Sequence, residues 1–111
     1  MSDIKASIII RTKNEEQWIP YCLEGVLAQK NIKKEIIVVD DNSSDNTIEI
    51  VKNFPVKLFH YEGEYLPGKS LNFGVSKCSG EYVVFISGHC VPKDPFWLEN
   101  LLKPFKRYNK L

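Results

Sequence analysis

The sequence predicts an α/β fold, three layers built around a mostly parallel sheet. Four short apolar, β-branched runs recur, at 6–10 (ASIII), 35–39 (EIIVV), 56–61 (VKLFHY) and 82–86 (YVVFI), and each reads as a strand. Segments with helical signals separate them, so the strands are joined by connections long enough for parallel pairing with right-handed crossovers. Runs such as IIVV and YVVFI lack polar alternation, as expected of strands covered on both faces.

Between the first two strands, EEQWIPYCLEGVLAQ (15–29) reads as a helix in which Pro20 is tolerable only in the first turn. SDNTIEIVKNF (44–54) reads as a second, with Ser44 as its cap. KSLNFGVSKC (69–78) reads as a third that places Leu71, Val75 and Cys78 on one face, and a fourth follows Asp94-Pro95. Trp18, Phe96 and Trp97 read as packing aromatics. No linker, internal repeat or low-complexity segment interrupts the 111 residues, which are taken as a single domain, 1–111.

Composition excludes several classes. Fifteen Lys and Arg against fourteen Asp and Glu leave a net charge of +1, without the electropositive field that holds nucleic acid. Cys22, Cys78 and Cys90 are odd in number and lack C-x-x-C spacing, which argues against a disulfide framework and a structural zinc site and suits reduced cytosolic thiols. The apolar run in MSDIKASIII is too short for a signal or a membrane span. Lys103, Lys106, Arg107 and Lys110 suit the basic end of a core-packed helix, and also a peripheral contact with an anionic membrane.

In an open parallel sheet, ligands sit beyond the carboxyl ends of the strands. The residues that follow the four runs are Arg11-Thr12-Lys13-Asn14-Glu15, Asp40-Asp41-Asn42-Ser43, Glu62 to Lys69, and Ser87-Gly88-His89-Cys90. Most of the unusual polar groups therefore fall on one edge. GEYLPGKS (63–70) fits the phosphate-loop pattern, which would make the chain an NTPase using Lys69 and Ser70. Its details are poor, since Pro67 removes a donor, Leu66 is bulky, and no later strand ends in the expected metal-binding Asp. Asp40 and Asp41 exceed what a capped turn needs, leaving one carboxylate for a base N–H or a ribose hydroxyl. His89 follows a small-residue step and suits a divalent cation or a phosphate oxygen, whereas Cys90 suits packing. Arg11 and Lys69 are candidate anion contacts. The plainer alternative is an α/β interaction module whose polar edge is only solvated turns.

Taken in order, SIIIRTKNEE, EIIVVDDNSSDNT and PGKSLNFGVSKCSGEYVVFISGHCVPKDPFWL resemble the nucleotide-binding half of a family 2 glycosyltransferase with the Rossmann-like GT-A fold, over about residues 6–105. The resemblance implies an inverting enzyme of polysaccharide or glycan synthesis. Such an enzyme moves a sugar from a nucleoside-diphosphate sugar to an acceptor glycan or lipid-linked sugar. It implies that Arg11, Thr12, Lys13 and Glu15 line the base and ribose pocket, that Asp41 bonds the base, and that Lys69 faces the diphosphate above a helix carrying Asn72 and Gly74. Ser87, Gly88 and His89 take the place of the family's Asp-x-Asp, so the Mn or Mg that Asp-x-Asp would hold falls to His89. Under this resemblance the phosphate-loop match is a coincidence. Arg11 and Lys13 stand where proline-like and aromatic residues are common, which makes the pocket more cationic. The family's general base lies past the position of Leu111, so the expectation is a donor-binding portion, inactive alone, that pairs with itself to cover an open sheet edge.

Overall fold

The computed structural model of the chain describes residues 4–61 and 72–108. Four strands, β1 (Ala6–Thr12), β2 (Lys34–Asp40), β3 (Lys57–His60) and β4 (Tyr82–Ser87), form one sheet in the order β3-β2-β1-β4. Each neighbouring pair is parallel, with Ile8 opposite both Ile36 and Val84 in the central register. The helices are α1 (Ile19–Leu27), α2 (Thr47–Val51), the helical residues 72–75, here α3, and α4 (Trp97–Tyr108).

Strand alternation sorts the core into two layers. Ala6, Ile8 and Ile10 point to the side covered by α1, α2 and α4, where Leu23, Val51, Leu98 and Leu102 complete the main cluster. Ile9, Ile37 and Val39 point to the other side and meet Phe59, Phe73 and Cys78. On α1, Ile19, Cys22, Leu23 and Val26 are buried at the i, i+3, i+4, i+7 spacing of one helical face, and burying each large apolar chain contributes about 2 kcal/mol.

Several details depart from the sequence reading. The first helix begins at Ile19, because the Glu15 carbonyl accepts from the N–H groups of both Trp18 and Ile19 and closes a turn before it; Pro20 then sits in the first turn. Ser44 does not cap α2. Asn46 occupies that position, and Asp45 accepts from Thr47 N–H at 3.0 Å. On α3, Val75 is exposed while Phe73 and Gly74 face the sheet, and Leu71 lies outside the described residues. A β-carbon on Gly74 would come within 2.8 Å of Ile9 Cγ2, so the glycine sets how closely this helix approaches. Of the aromatics read as packed, Trp97 meets the core, but Trp18 and Phe96 are 50% and 42% exposed. Among the described residues β4 is an edge strand covered on one face only, with Val83 and Phe85 exposed, which corrects the expectation for YVVFI. Among the described residues no helix is long and apolar enough to cross a membrane. All three cysteines are free thiols.

Candidate functional site

Strand order reverses at β1, whose two sheet neighbours, β2 and β4, connect away from it in opposite senses along the sheet. The crevice opened there is where such folds bind ligands, and the loops after β1, β2 and β4 all border it. Thr12 joins them. Its carbonyl accepts from Asp41 N–H at 2.9 Å, and its Oγ1 lies 2.8 Å from where a β-carbon on Gly88 would stand. Gly88 N–H in turn donates to the Arg11 carbonyl at 3.0 Å. Thr12, Asp41 and Gly88 thus form one row across three strand ends.

The two adjacent carboxylates do different work. Asp40 accepts from Ser43 N–H at 3.0 Å and from Ser43 Oγ at 2.5 Å, closing the turn, and lies 3.8 Å from His60 Nδ1. Asp41 is only 2% exposed, yet its Oδ2 has no hydrogen-bond partner among the described residues. Thr12 Oγ1 is buried and unpartnered in the same way. A buried carboxylate oxygen left unpaired is costly, so a partner from outside the chain would relieve it.

Asn14, which the sequence reading placed in the segment after β1 without singling it out, holds two of the loops together. Its Oδ1 accepts from Ser44 N–H at 2.7 Å and Asp45 N–H at 3.3 Å, while its own N–H donates to Ser43 Oγ at 2.9 Å. Asn14 and Asn42 have φ of 52° and 57°, a left-handed conformation that asparagine tolerates. Asparagine at both loop tips was the available signal.

At the β4 end, His89 Nδ1 stands 2.8 Å from Ser87 Oγ and 3.1 Å from Glu15 Oε1. Cys22 lies beneath, its thiol 3.8 Å from the Ser87 carbonyl. Burial, with Cys90 and Glu15 nearby, pushes that thiol up to about 12, which makes it a packing group and no nucleophile at neutral pH. The segment after His89 is seated by Gly25 of α1, where a β-carbon would come within 2.8 Å of Pro92 Cδ. Arg11 points to the opposite face from Thr12 and borders a shallow cavity of about 320 Å³ with Phe85, Ile86 and Ser87. Lys13 is exposed on the same loop. The structure therefore brings Thr12, Glu15, Asp41, Ser87, Gly88 and His89 to one rim with Arg11 and Lys13 beside them; Lys69 and Ser70 lie outside the described residues.

The donor set fits a divalent cation only in part. His89 offers an imidazole nitrogen acceptable to Mn or Mg, while Glu15 is occupied behind the ring at Nδ1, and no cluster of three or more His, Cys, Asp or Glu occurs among the described residues. His89 fits a cation that takes its remaining ligands from a diphosphate and water.

A family model described as "Glycosyl transferase family 2" matches residues 7–111. The chain belongs to this glycosyltransferase family. The match runs through residues 63–70, so the phosphate-loop pattern there lies within a glycosyltransferase sequence. The poly-beta-1,6-N-acetyl-D-glucosamine synthase of Staphylococcus epidermidis is 33% identical over 111 residues, covering 95% of this chain and 26% of the relative. Glycosyltransferase AglE of Haloferax volcanii is 34% identical over 103 residues, covering 84% of this chain and 33% of the relative. The chain thus spans about a quarter to a third of the length of these curated relatives. Among solved structures, S. aureus TarS in complex with UDP-GlcNAc superposes with a TM-score of 0.84 at 26% identity, over 96% of this chain and 32% of that one. The Pyrobaculum calidifontis mannosyltransferase PcManGT, in complex with GDP-Man and Mn2+, superposes at 0.83 with 24% identity, over 89% of this chain and 31% of that one, a likeness of fold. The expected α/β class and the parallel GT-A-like sheet are borne out.

Proposed function

We propose that this chain is the donor-binding domain of an inverting glycosyltransferase that moves a sugar from a nucleoside diphosphate to the hydroxyl of an acceptor glycan or lipid-linked sugar. One observation carries the reading: a buried Asp41 oxygen and a buried Thr12 hydroxyl, each without a hydrogen-bond partner among the described residues, at the strand-order reversal of a family 2 domain. Asp41 accepts from the base, and Thr12, Arg11 and Lys13 border the nucleoside and its charge. Ser87, Gly88 and His89 face the diphosphate, and Lys69 is the further cation assigned to it. A bound Mn or Mg would neutralise charge on the leaving diphosphate, and His89 is the residue of this rim best placed to hold it. The general base belongs to the acceptor-side portion of the whole enzyme. That S. aureus TarS binds UDP-GlcNAc, and that the S. epidermidis relative is an N-acetyl-D-glucosamine polymer synthase, makes UDP-GlcNAc the first donor to try. The site would work on the cytoplasmic side, at or near the inner face of the membrane, and the open β4 edge suits a homodimer.

Calorimetric titration with UDP, UDP-GlcNAc, GDP and dTDP, with and without Mn2+, tests this reading. One nucleotide is expected to bind well below millimolar, and Asp41→Ala should weaken it about 10- to 100-fold, the cost of one hydrogen bond to a charged group. No binding of any of the four at millimolar concentration rejects it.

A further inference from the structure

A second carboxylate reaches this rim from 74 positions away in the chain. Glu15 Oε1 lies 3.1 Å from His89 Nδ1, on the same ring nitrogen that Ser87 Oγ approaches at 2.8 Å. Glu15 is firmly held. Its N–H donates to Thr47 Oγ1 at 2.9 Å, and its carbonyl closes the turn that starts α1. The side chain is one-fifth exposed while that of His89 is 63% exposed, so the carboxylate stands behind the ring, away from solvent. Gly88 leaves room for it, because a β-carbon there would stand 3.3 Å from Glu15 Cγ as well as striking Thr12.

We propose that Glu15 is a positioning residue for His89, fixing the imidazole as the Nδ1–H tautomer and leaving Nε2 as a lone-pair donor at the rim. An ionised carboxylate only accepts hydrogen bonds, so the neutral ring facing it carries its single proton on Nδ1. Nε2 has no hydrogen-bond partner among the described residues. A carboxylate behind a ligating imidazole orients the ring and raises its basicity. The pair thus places on two loops, after β1 and after β4, the negative charge that an Asp-x-Asp would carry on one, and Ser87-Gly88-His89 remains a working diphosphate-facing segment without either aspartate. What His89 holds rests on the donor-binding reading; its tautomer does not.

The experiment keeps these apart. Long-range 1H–15N spectra of the labelled chain, with His60→Gln used to assign the two rings, report the tautomer without any ligand. Wild type should show His89 protonated at Nδ1, Glu15→Ala should shift it toward the Nε2–H form common in water, and Glu15→Gln, whose amide oxygen still accepts, should hold it. Mn2+ affinity, read by electron paramagnetic resonance at saturating UDP, should fall about 10- to 100-fold in Glu15→Ala and recover most of that in Glu15→Gln. An Nε2–H ring in wild type, or the same tautomer and Mn2+ affinity in Glu15→Ala, overturns the proposal. If UDP fails to bind wild type, the donor reading falls, and the spectra alone still decide the role of Glu15.

Discussion

At Asp40 and Asp41, neighbours in sequence and both buried, the hydrogen bonds separate structure from binding. Asp40 spends both oxygens on Ser43, so removing it opens the turn that shapes the rim. Asp41 leaves Oδ2 without a partner among the described residues, so removing it deletes a group they do not satisfy. Asp40→Ala should therefore cost about 1–3 kcal/mol in urea denaturation, whereas Asp41→Ala should leave the midpoint unchanged or slightly higher. Nucleotide titration of the same two proteins should rank them the other way for any variant that stays folded, with Asp41→Ala the weaker binder at equal folded fraction. A large stability loss in Asp41→Ala would assign both residues to the turn. The pattern VVDDNS could not make this distinction by itself, since either residue can cap. The choice of Asp41 came from the resemblance, and the reason for it became visible only in where each oxygen points.

At the scale of elements, β1 and β2 were legible because buried parallel strands need unbroken β-branched runs, β3 and β4 as short apolar and aromatic runs, and all four observed limits fall within two residues of the runs. Helix starts were less legible. Ser44 has the side chain of a cap but is bonded to Asn14, a contact across loops that no local pattern reports. The far end of the sheet hid a second such network. Glu35, the second residue of β2, is buried; its Oε2 accepts from Ser7 Oγ and from Ser79 N–H at 2.6 Å, and its Oε1 from Lys57 Nζ at 2.8 Å. Burial works to raise its pKa, but the hydrogen bonds from Lys57, Ser7 and Ser79 outweigh it and hold the group at about 2, against an ordinary 4.5. A carboxylate depressed on folding contributes stability above its unfolded value and loses it as pH falls toward the folded one. That contribution is on the order of 3 kcal/mol at neutral pH, and it should vanish between about pH 5 and pH 2. Denaturation midpoints should drop across that window in wild type and much less in Glu35→Gln. Equal slopes for the two proteins would remove Glu35 from the account of acid lability.

The molecule as a whole is asymmetric about its sheet. Alternation of strands and helices predicted a parallel sheet but could not order its strands, since sequence order 1-2-3-4 and spatial order β3-β2-β1-β4 share the same alternation. The spatial order leaves β3 and β4 at the two edges of the sheet, and hence decides which residues are exposed. β4 has Val83 and Phe85 standing on the face opposite α1 and α4, and around its edge Tyr82 meets the half-exposed Phe105 at 6.0 Å between ring centroids. Leu101 adds to an apolar border around a cavity of about 290 Å³. No charged side chain belongs to β4 itself, so neither repulsion nor an inward-pointing lysine guards this edge of the sheet. Such an edge can add another strand, and the homodimer proposed above would join β4 to β4 of a second copy, since the other edge, β3, carries Lys57 and His60. Sedimentation should show a concentration-dependent dimer at high micromolar protein. Phe85→Lys should return it to monomer without a large change in thermal midpoint, because 47% of Phe85 is already in water and one face of the edge strand tolerates a charge. A wild-type chain that stays monomeric up to about 1 mM, a concentration at which even weak pairs near −4 kcal/mol are half formed, would show that β4 does not pair with itself.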